Sequence, residues 1–317
     1  MSADVVTIGE LLIDFTPVKI GNETGFIPKP GGAPANVAAA VSKLGGISAF
    51  IGKVGDDQFG NFLKTALDSV NVNTAGVIFD KDAPTTLAFV HLDNGGERSF
   101  SFYRKYCADT QLTVKELDMN IIDRCKVLHF GSVSLTDSPT KDAVLYAAER
   151  ASRKGSIVSF DPNFRPALWL NEENAVDEIR QALSLVDIIK VSHDEMEQIT
   201  GNADVAVGTA SLQEYGAKLV LVTLGSNGSY FRYMGYAAHV PSCKVETIDT
   251  NGAGDAFLGG LLYRLTRFSD PLSISPCDME KAVMFANAVG ALTTTKAGAI
   301  TALPTMDEVI AVNDLYA

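Results

Sequence analysis

The clearest chemical signal in the sequence lies at Asp249-Thr250-Asn251-Gly252-Ala253-Gly254-Asp255, which opens a long apolar helical pattern over 254–266. Gly252, Ala253 and Gly254 are small enough to leave backbone N–H groups unobstructed where a helix dipole is positive. That is an anion hole suited to a transferring phosphoryl group. Asp255 falls in the first helical turn beside it, where a carboxylate can accept the proton of an attacking hydroxyl. An aspartate can also simply cap a helix. A cap explains Asp255 but not the Gly-Ala-Gly before it. The helix is apolar almost all round, and Gly259 and Gly260 permit close packing, so its mouth is expected to be deeply buried.

Two familiar phosphate loops are absent. Gly52-Lys53 is followed by Val54 and has Ile47 where a Walker loop needs its first glycine. Gly252 and Gly254 are followed by Phe257 where a dinucleotide fingerprint needs its third glycine. A second stretch, Gly31-Gly32-Ala33-Pro34-Ala35-Asn36, lets the chain approach a ligand closely and starts a helix at once. Asn36 there offers a donor and an acceptor, useful for a polyol. An ordinary Gly-Gly turn with a local cap explains that stretch equally well.

The elements that must position these residues alternate. Short apolar runs at 5–8, 47–51, 127–130, 157–160, 188–191 and 219–223 read as strands. Helical patterns occupy 34–44, 58–70, 141–153, 174–185, 254–266 and 279–294. Continuous rather than alternating apolar strands between helices predict a mainly parallel sheet covered on both faces, a three-layer α/β/α body. One region departs from this rhythm. Residues 86–92 and 98–103 flank Asp93-Asn94-Gly95-Gly96-Glu97, a hairpin signal. Residues 12–29 lack a helical pattern and could supply companion strands. The expectation is a single domain over 1–317 with a small β-sheet lid from segments near 12–29 and 86–104.

Composition bounds the partners. The chain has 317 residues, and 26 Lys+Arg against 38 Asp+Glu give a net charge of −12. With 46% hydrophobic and 20% charged residues it is globular in type. The acidic balance and scattered Lys/Arg argue against nucleic acid. No signal peptide or membrane span is expected. Cys107, Cys125, Cys243 and Cys277 form no C-x-x-C pair and read as separate thiols in a cytoplasmic protein.

Taken together, Gly31 to Asn36, Gly45-Gly46, Ile51-Gly52-Lys53-Val54-Gly55-Asp56-Asp57 and Gly60 resemble the N-terminal signature of the ribokinase-like (PfkB) carbohydrate kinases. Asp249 to Asp255 resembles their C-terminal signature, roughly 200 residues on, and the ordered pair is highly specific. Asn251 departs from the commonest form, which has Thr. Within the family the chain looks most like fructokinases. Gly9 to Phe15, Phe102-Tyr103-Arg104 with Ala108-Asp109, and Asp161-Pro162-Asn163-Phe164-Arg165-Pro166-Ala167-Leu168-Trp169 carry that likeness. 2-Keto-3-deoxygluconate kinases share versions of the last two.

The resemblance implies roles. Asp255 would be the base, with the anion hole at Gly252, Ala253 and Gly254. Asp14, Gly31, Gly32, Asn36, Arg104 and Asp161 would bind the sugar. Arg165 would reach the phosphates or the catalytic centre. Lys190, Ser192, Thr223, Gly225, Gly228, Asn287 and Gly290 would join Gly252 and Gly254 around ATP. Glu195 would order hydrated Mg²⁺, and Asp249 with the loop Lys296-Ala297-Gly298-Ala299 resembles a monovalent-cation region, with K⁺ preferred. Several of these residues have blander readings. Ser192 to Glu195 reads equally as a helix N-terminus, Asn227-Gly228 as a hairpin turn, and Arg165 as a surface ion pair.

The implied activity is ATP-dependent phosphorylation of D-fructose to fructose 6-phosphate. Its competitors are a 2-keto-3-deoxygluconate kinase, which would want an extra cation such as Arg104 or Arg165, and a catalytically dead sugar-sensing homologue. The lid hairpin, with an exposed edge, is also expected to form a homodimer.

Overall fold

The computed structural model describes residues 3–21, 23–92 and 98–312. Thirteen strands are present among them. They are β1 (Val5–Ile8), β2 (Leu12–Ile20), β3 (Glu23–Gly31), β4 (Ser48–Gly55), β5 (Asn73–Asp80), β6 (Leu87–Leu92), β7 (Arg98–Tyr103), β8 (Val127–Gly131), β9 (Ile157–Asp161), β10 (Ile188–Ser192), β11 (Leu219–Thr223), β12 (Ser229–Tyr233) and β13 (Tyr236–Val240). Nine form one sheet in the order β13-β12-β11-β10-β9-β8-β1-β4-β5. The pairs from β11 to β5 are parallel, and β12 and β13 add an antiparallel edge.

Helices cover both faces, as the apolar strands require. Ala143, Val144, Ala147, Ile179, Ala182, Met196 and Leu212 pack one face. Val37, Val41, Phe257, Leu258, Leu261, Leu262 and Val283 pack the other. The chain runs outward from β1 to β4 and β5, then crosses back to β8 and continues the other way. The carboxyl ends of β1 and β8 therefore flank a topological switch point, where open α/β sheets hold ligands.

The lid expectation is met by a second sheet of four strands, β3-β2-β6-β7. β2 and β3 pair antiparallel, and β6 pairs parallel to β2 and antiparallel to β7. Phe15 stacks on Phe89 at 4.8 Å and meets Phe59 edge-on at 5.7 Å, which ties this sheet to the helix Gln58–Ser69. The turn expected at 93–97 lies outside the described residues.

Boundaries moved where charge interrupted an apolar run. β4 runs on to Gly55 because Lys53 is buried in ion pairs with Asp80 at 2.7 Å and Glu116 at 2.9 Å. The helix expected at 34–44 spans Ala33–Lys43, with Gly32 as its N-cap at φ 115°. A side chain at Gly32 would collide with the Glu10 carbonyl. The four cysteines are free thiols. Among the described residues no helix is long and apolar enough to cross a membrane.

Candidate active site

Two hollows share a wall at the start of the helix Ala253–Leu265. One is a polar cleft under the lid sheet, lined by Asp14, Gly32, Asn36, Asn163, Arg165 and Asp255 among others. The other is a cavity of about 650 Å³, lined in part by Thr223, Gly225, Gly228, Asn287, Gly290, Ala253 and Gly254. The wall between them is one helical turn: Asp255 faces the cleft, and Ala253 and Gly254 face the cavity.

Asp255 is buried and held on both carboxylate oxygens. Asn36 donates from Nδ2 to Oδ2 at 2.7 Å, and Asn163 from Nδ2 to Oδ1 at 3.0 Å. Burial, reinforced by the nearby Asp161 charge, pushes its pKa up to about 6. That value suits a group that must accept a proton near neutral pH. Gly252 caps the helix at φ 73°, and a Cβ there would sit 2.7 Å from the Ala299 Cβ. The first N–H groups of a helix lack intrahelical acceptors. In this helix the Ala253 N–H donates to the Thr250 carbonyl at 3.3 Å, and Ala253 and Gly254 line the larger cavity.

The cleft is acidic and amide-lined. Burial raises Asp14 to about 6; Arg165 opposes that rise and the Asp255 charge adds to it. Asn36 Oδ1 is buried without a partner, an acceptor left for a ligand hydroxyl. Gly31 ends β3 opposite Leu12, and a side chain there would strike the Asp14 carboxylate. Arg165 lines the cleft, with Nη1 donating to the carbonyls of Asn163 and Phe164 at 3.3 and 3.1 Å.

Other expected ligands sit behind the surface. Arg104 donates from Nε to Asp109 at 2.6 Å, from Nη1 to Thr136 at 2.6 Å and from Nη2 to the Val133 carbonyl at 3.0 Å. Its guanidinium thus fastens the lid to the body and does not line the cleft. Asp161 and Lys190 form a buried ion pair at 2.7 Å, outside the linings of both hollows. Burial opposes the Lys190 charge, but Asp161 and Glu195 outweigh it and hold its pKa above the ordinary lysine range. Its Nζ lies under Gly254, 2.8 Å from where a Cβ would be.

Ser192 and Glu195 form a capping box on the helix His193–Thr200, so the bland reading of this segment holds. Glu195 also bridges two strand ends: Oε1 accepts from Phe164 N–H and Oε2 from Ser192 N–H, both at 2.7 Å. Gly225–Asn227 is the turn between β11 and β12, and Gly225, Ser226 and Gly228 line the larger cavity. Asn287 donates from Nδ2 to the Val240 carbonyl at 2.9 Å. Asp249 accepts from the N–H groups of Asn251 and Gly298, joining the two loops expected to hold a monovalent cation. Among the described residues no cluster of three His, Cys, Asp or Glu could hold a metal on its own.

Three contributors carried no assignment from sequence. Asn163 stood inside the Asp-Pro-Asn stretch. Glu10 lines the cleft, accepting from Ala33 N–H at 3.2 Å and Ser134 Oγ at 2.7 Å. Residues 242–245 and Thr247 line the larger cavity from a segment with no periodicity. A strand-end Gly9-Glu10 was the available clue for Glu10; the 242–247 segment offered none.

The comparisons agree with this geometry. The profile of the pfkB family carbohydrate kinases matches residues 2–306. The chain is 46% identical to fructokinase-1 of Zea mays over 312 residues, 96% of each chain. A fructokinase with bound ATP from Xylella fastidiosa superposes with a TM-score of 0.91 at 37% identity, covering 98% of both chains. A fructokinase double mutant from Vibrio cholerae, in a form with fructose, ADP and potassium ion bound, gives 0.90 at 36% identity over 98% of each chain. The protein belongs to the pfkB family of carbohydrate kinases and has its ribokinase-like α/β fold. It is a phosphotransferase that acts on sugars.

Proposed function

We propose that the protein transfers the γ-phosphoryl group of ATP to the 6-hydroxyl of D-fructose. The observation that carries this is the shared wall: Asp255 faces one hollow while the helix mouth that bears it opens into the other. Sugar in the cleft and nucleotide in the cavity would meet across one helical turn, as in-line transfer requires. Asp14, Asn36 and the Gly31-Gly32 turn would hold sugar hydroxyls, with Asp255 against the reacting one. Because such transfer runs through a loose transition state, Asp255 would chiefly orient the hydroxyl and take its proton late. The helix N-terminus and Arg165 would stabilise the moving charge.

Relatives support fructose over 2-keto-3-deoxygluconate, since the solved and curated proteins cited above are fructokinases. Arg104 is committed to Asp109, Thr136 and Val133, so of the two arginines only Arg165 could meet a substrate carboxylate in the cleft. Mg²⁺ would be held through water by Glu195. K⁺ would sit by Asp249 and the 296–299 loop, by likeness to the potassium-bound relative.

The four-stranded sheet would close over the sugar as a lid, and two copies would join through it. Its edge strands β3 and β7 have free outer sides among the described residues; Phe26, Ile27 and Tyr103 are exposed on them, and Ile20 at the end of β2. Light scattering showing a monomer at micromolar concentration would remove the dimer. A cytoplasmic location fits four free thiols.

A substrate panel with ATP and Mg²⁺, run with and without K⁺, tests the function. Fructose is expected to be turned over fastest. Preferential turnover of 2-keto-3-deoxygluconate would displace it, and ATP consumption with none of the sugars would favour a sensing role.

A further inference from the structure

The loop after β9 carries an asparagine where the backbone favours glycine. Asn163 has φ 46°, in the left-handed region that side chains rarely adopt. Such an outlier persists only where its surroundings fix it. Here they do. Asn163 N–H donates to Asp161 Oδ1 at 3.1 Å, and Phe164 N–H donates to Glu195 Oε1 at 2.7 Å. Asp161 is held in turn by Lys190, and Glu195 by Ser192 N–H. The loop is thus anchored to two neighbouring strand ends, β9 and β10.

What the side chain does at that position is one thing: it reaches Oδ1 of Asp255 at 3.0 Å, opposite Asn36 on Oδ2. Two donors, from well-separated parts of the chain, fix the plane of one carboxylate. Glycine would suit the backbone better but would leave Oδ1 without this donor.

We propose that Asn163 is a positioning residue for Asp255, kept in a strained backbone conformation so that its amide holds the carboxylate in the orientation that receives the sugar proton. The proposal rests on the reading of Asp255 as the base. It also accounts for Glu195 and Asp161, which secure the loop from behind.

Asn163→Gly separates the side chain from the backbone, because glycine accepts the same φ without strain. We expect kcat with fructose to fall about 10- to 100-fold, the cost of a misplaced reacting group. The dissociation constant of fructose, measured calorimetrically without nucleotide, stays within about threefold, a split that marks transition-state rather than ground-state loss. The thermal midpoint falls only modestly, because relief of the positive φ offsets part of the lost hydrogen bond to buried Asp255.

The acid limb of kcat moves to higher pH, because a hydrogen bond to the charged form has been lost. The charges facing Asp255, namely Asp14, Asp161, Arg165 and Lys190, all remain in this variant. Wild-type kcat in Asn163→Gly overturns the proposal. A raised fructose dissociation constant with kcat intact overturns it too, making Asn163 a sugar ligand instead. Asp255→Asn is assayed alongside. If that variant keeps its turnover, the base reading fails whatever Asn163 does.

Discussion

Nδ2 of Asn36 lies 2.7 Å from Oδ2 of Asp255, across 219 positions of sequence. Each residue sits in the first turn of a helix, Ala33–Lys43 and Ala253–Leu265, so the contact depends on how closely those helices approach. Gly259 sets the approach. A Cβ there would lie 2.5 Å from the Ala40 Cβ and 3.0 Å from the Val37 carbonyl. Alanine would gain up to about 1 kcal/mol of helix propensity. The overpacking should cost about 1–3 kcal/mol and outweigh it. Gly259→Ala is therefore expected to lower the thermal midpoint and, by spreading the helix mouths, turnover as well. A variant as stable and active as the parent would show that the helices have slack.

Asp255→Asn addresses the chemistry without changing the shape. Asparagine can still accept one hydrogen bond from the pair of amides but cannot take the substrate proton. We expect kcat to fall by about 100- to 10,000-fold, the usual span for a general base. Fructose and ATP should still bind in calorimetric titrations. Turnover near normal would dismiss Asp255 as the base and leave it a buried carboxylate that ties Asn36 to Asn163.

Asp14 and Asp255 are both raised to about 6 by burial, and the Asp255 charge adds to the rise of Asp14. Such a pair titrates as a unit, so the acid limb of kcat/KM should fall near pH 6 and belong to both. Asp14→Asn removes a negative charge from beside Asp255, which makes the remaining carboxylate easier to ionise. The limb should then move to lower pH while KM for fructose rises. A limb that stays in place would mean that the two groups are uncoupled in the free enzyme.

How much of this was legible in the sequence depends on how local each signal is. Gly252 to Asp255 announces its own geometry, since small residues before an apolar helix leave few alternatives. The parallel sheet followed from β-branched runs that need burial on both faces. Arg104 and Lys190 show the limit. Both were expected at ligands, and both are turned to buried carboxylates: Asp109, five positions on, and Asp161, 29 positions back on the neighbouring strand. Glu10 has the same character, for its donors Ala33 and Ser134 meet only after the lid crossing and the return to β8. Sequence marks residue type and local turn; it does not mark which charge will neutralise which across the switch point of a sheet.

The Lys190–Asp161 pair makes the last prediction. Both side chains are almost fully buried, at 7% and 2% exposure, so neither can rely on water. Lys190→Met leaves Asp161 uncompensated and should cost about 3–5 kcal/mol in denaturant unfolding. Adding Asp161→Asn removes the stranded charge and should recover most of that loss. Turnover should not recover with it, because Lys190 also lies under Gly254 and offsets the charges of Glu195 and Asp255. Gly254→Ala, whose Cβ would come 2.8 Å from the same Nζ, should lower turnover by displacing the ammonium from beneath the helix mouth. If Lys190→Met alone matched the parent in stability, the Lys190–Asp161 pair would contribute nothing to holding the fold.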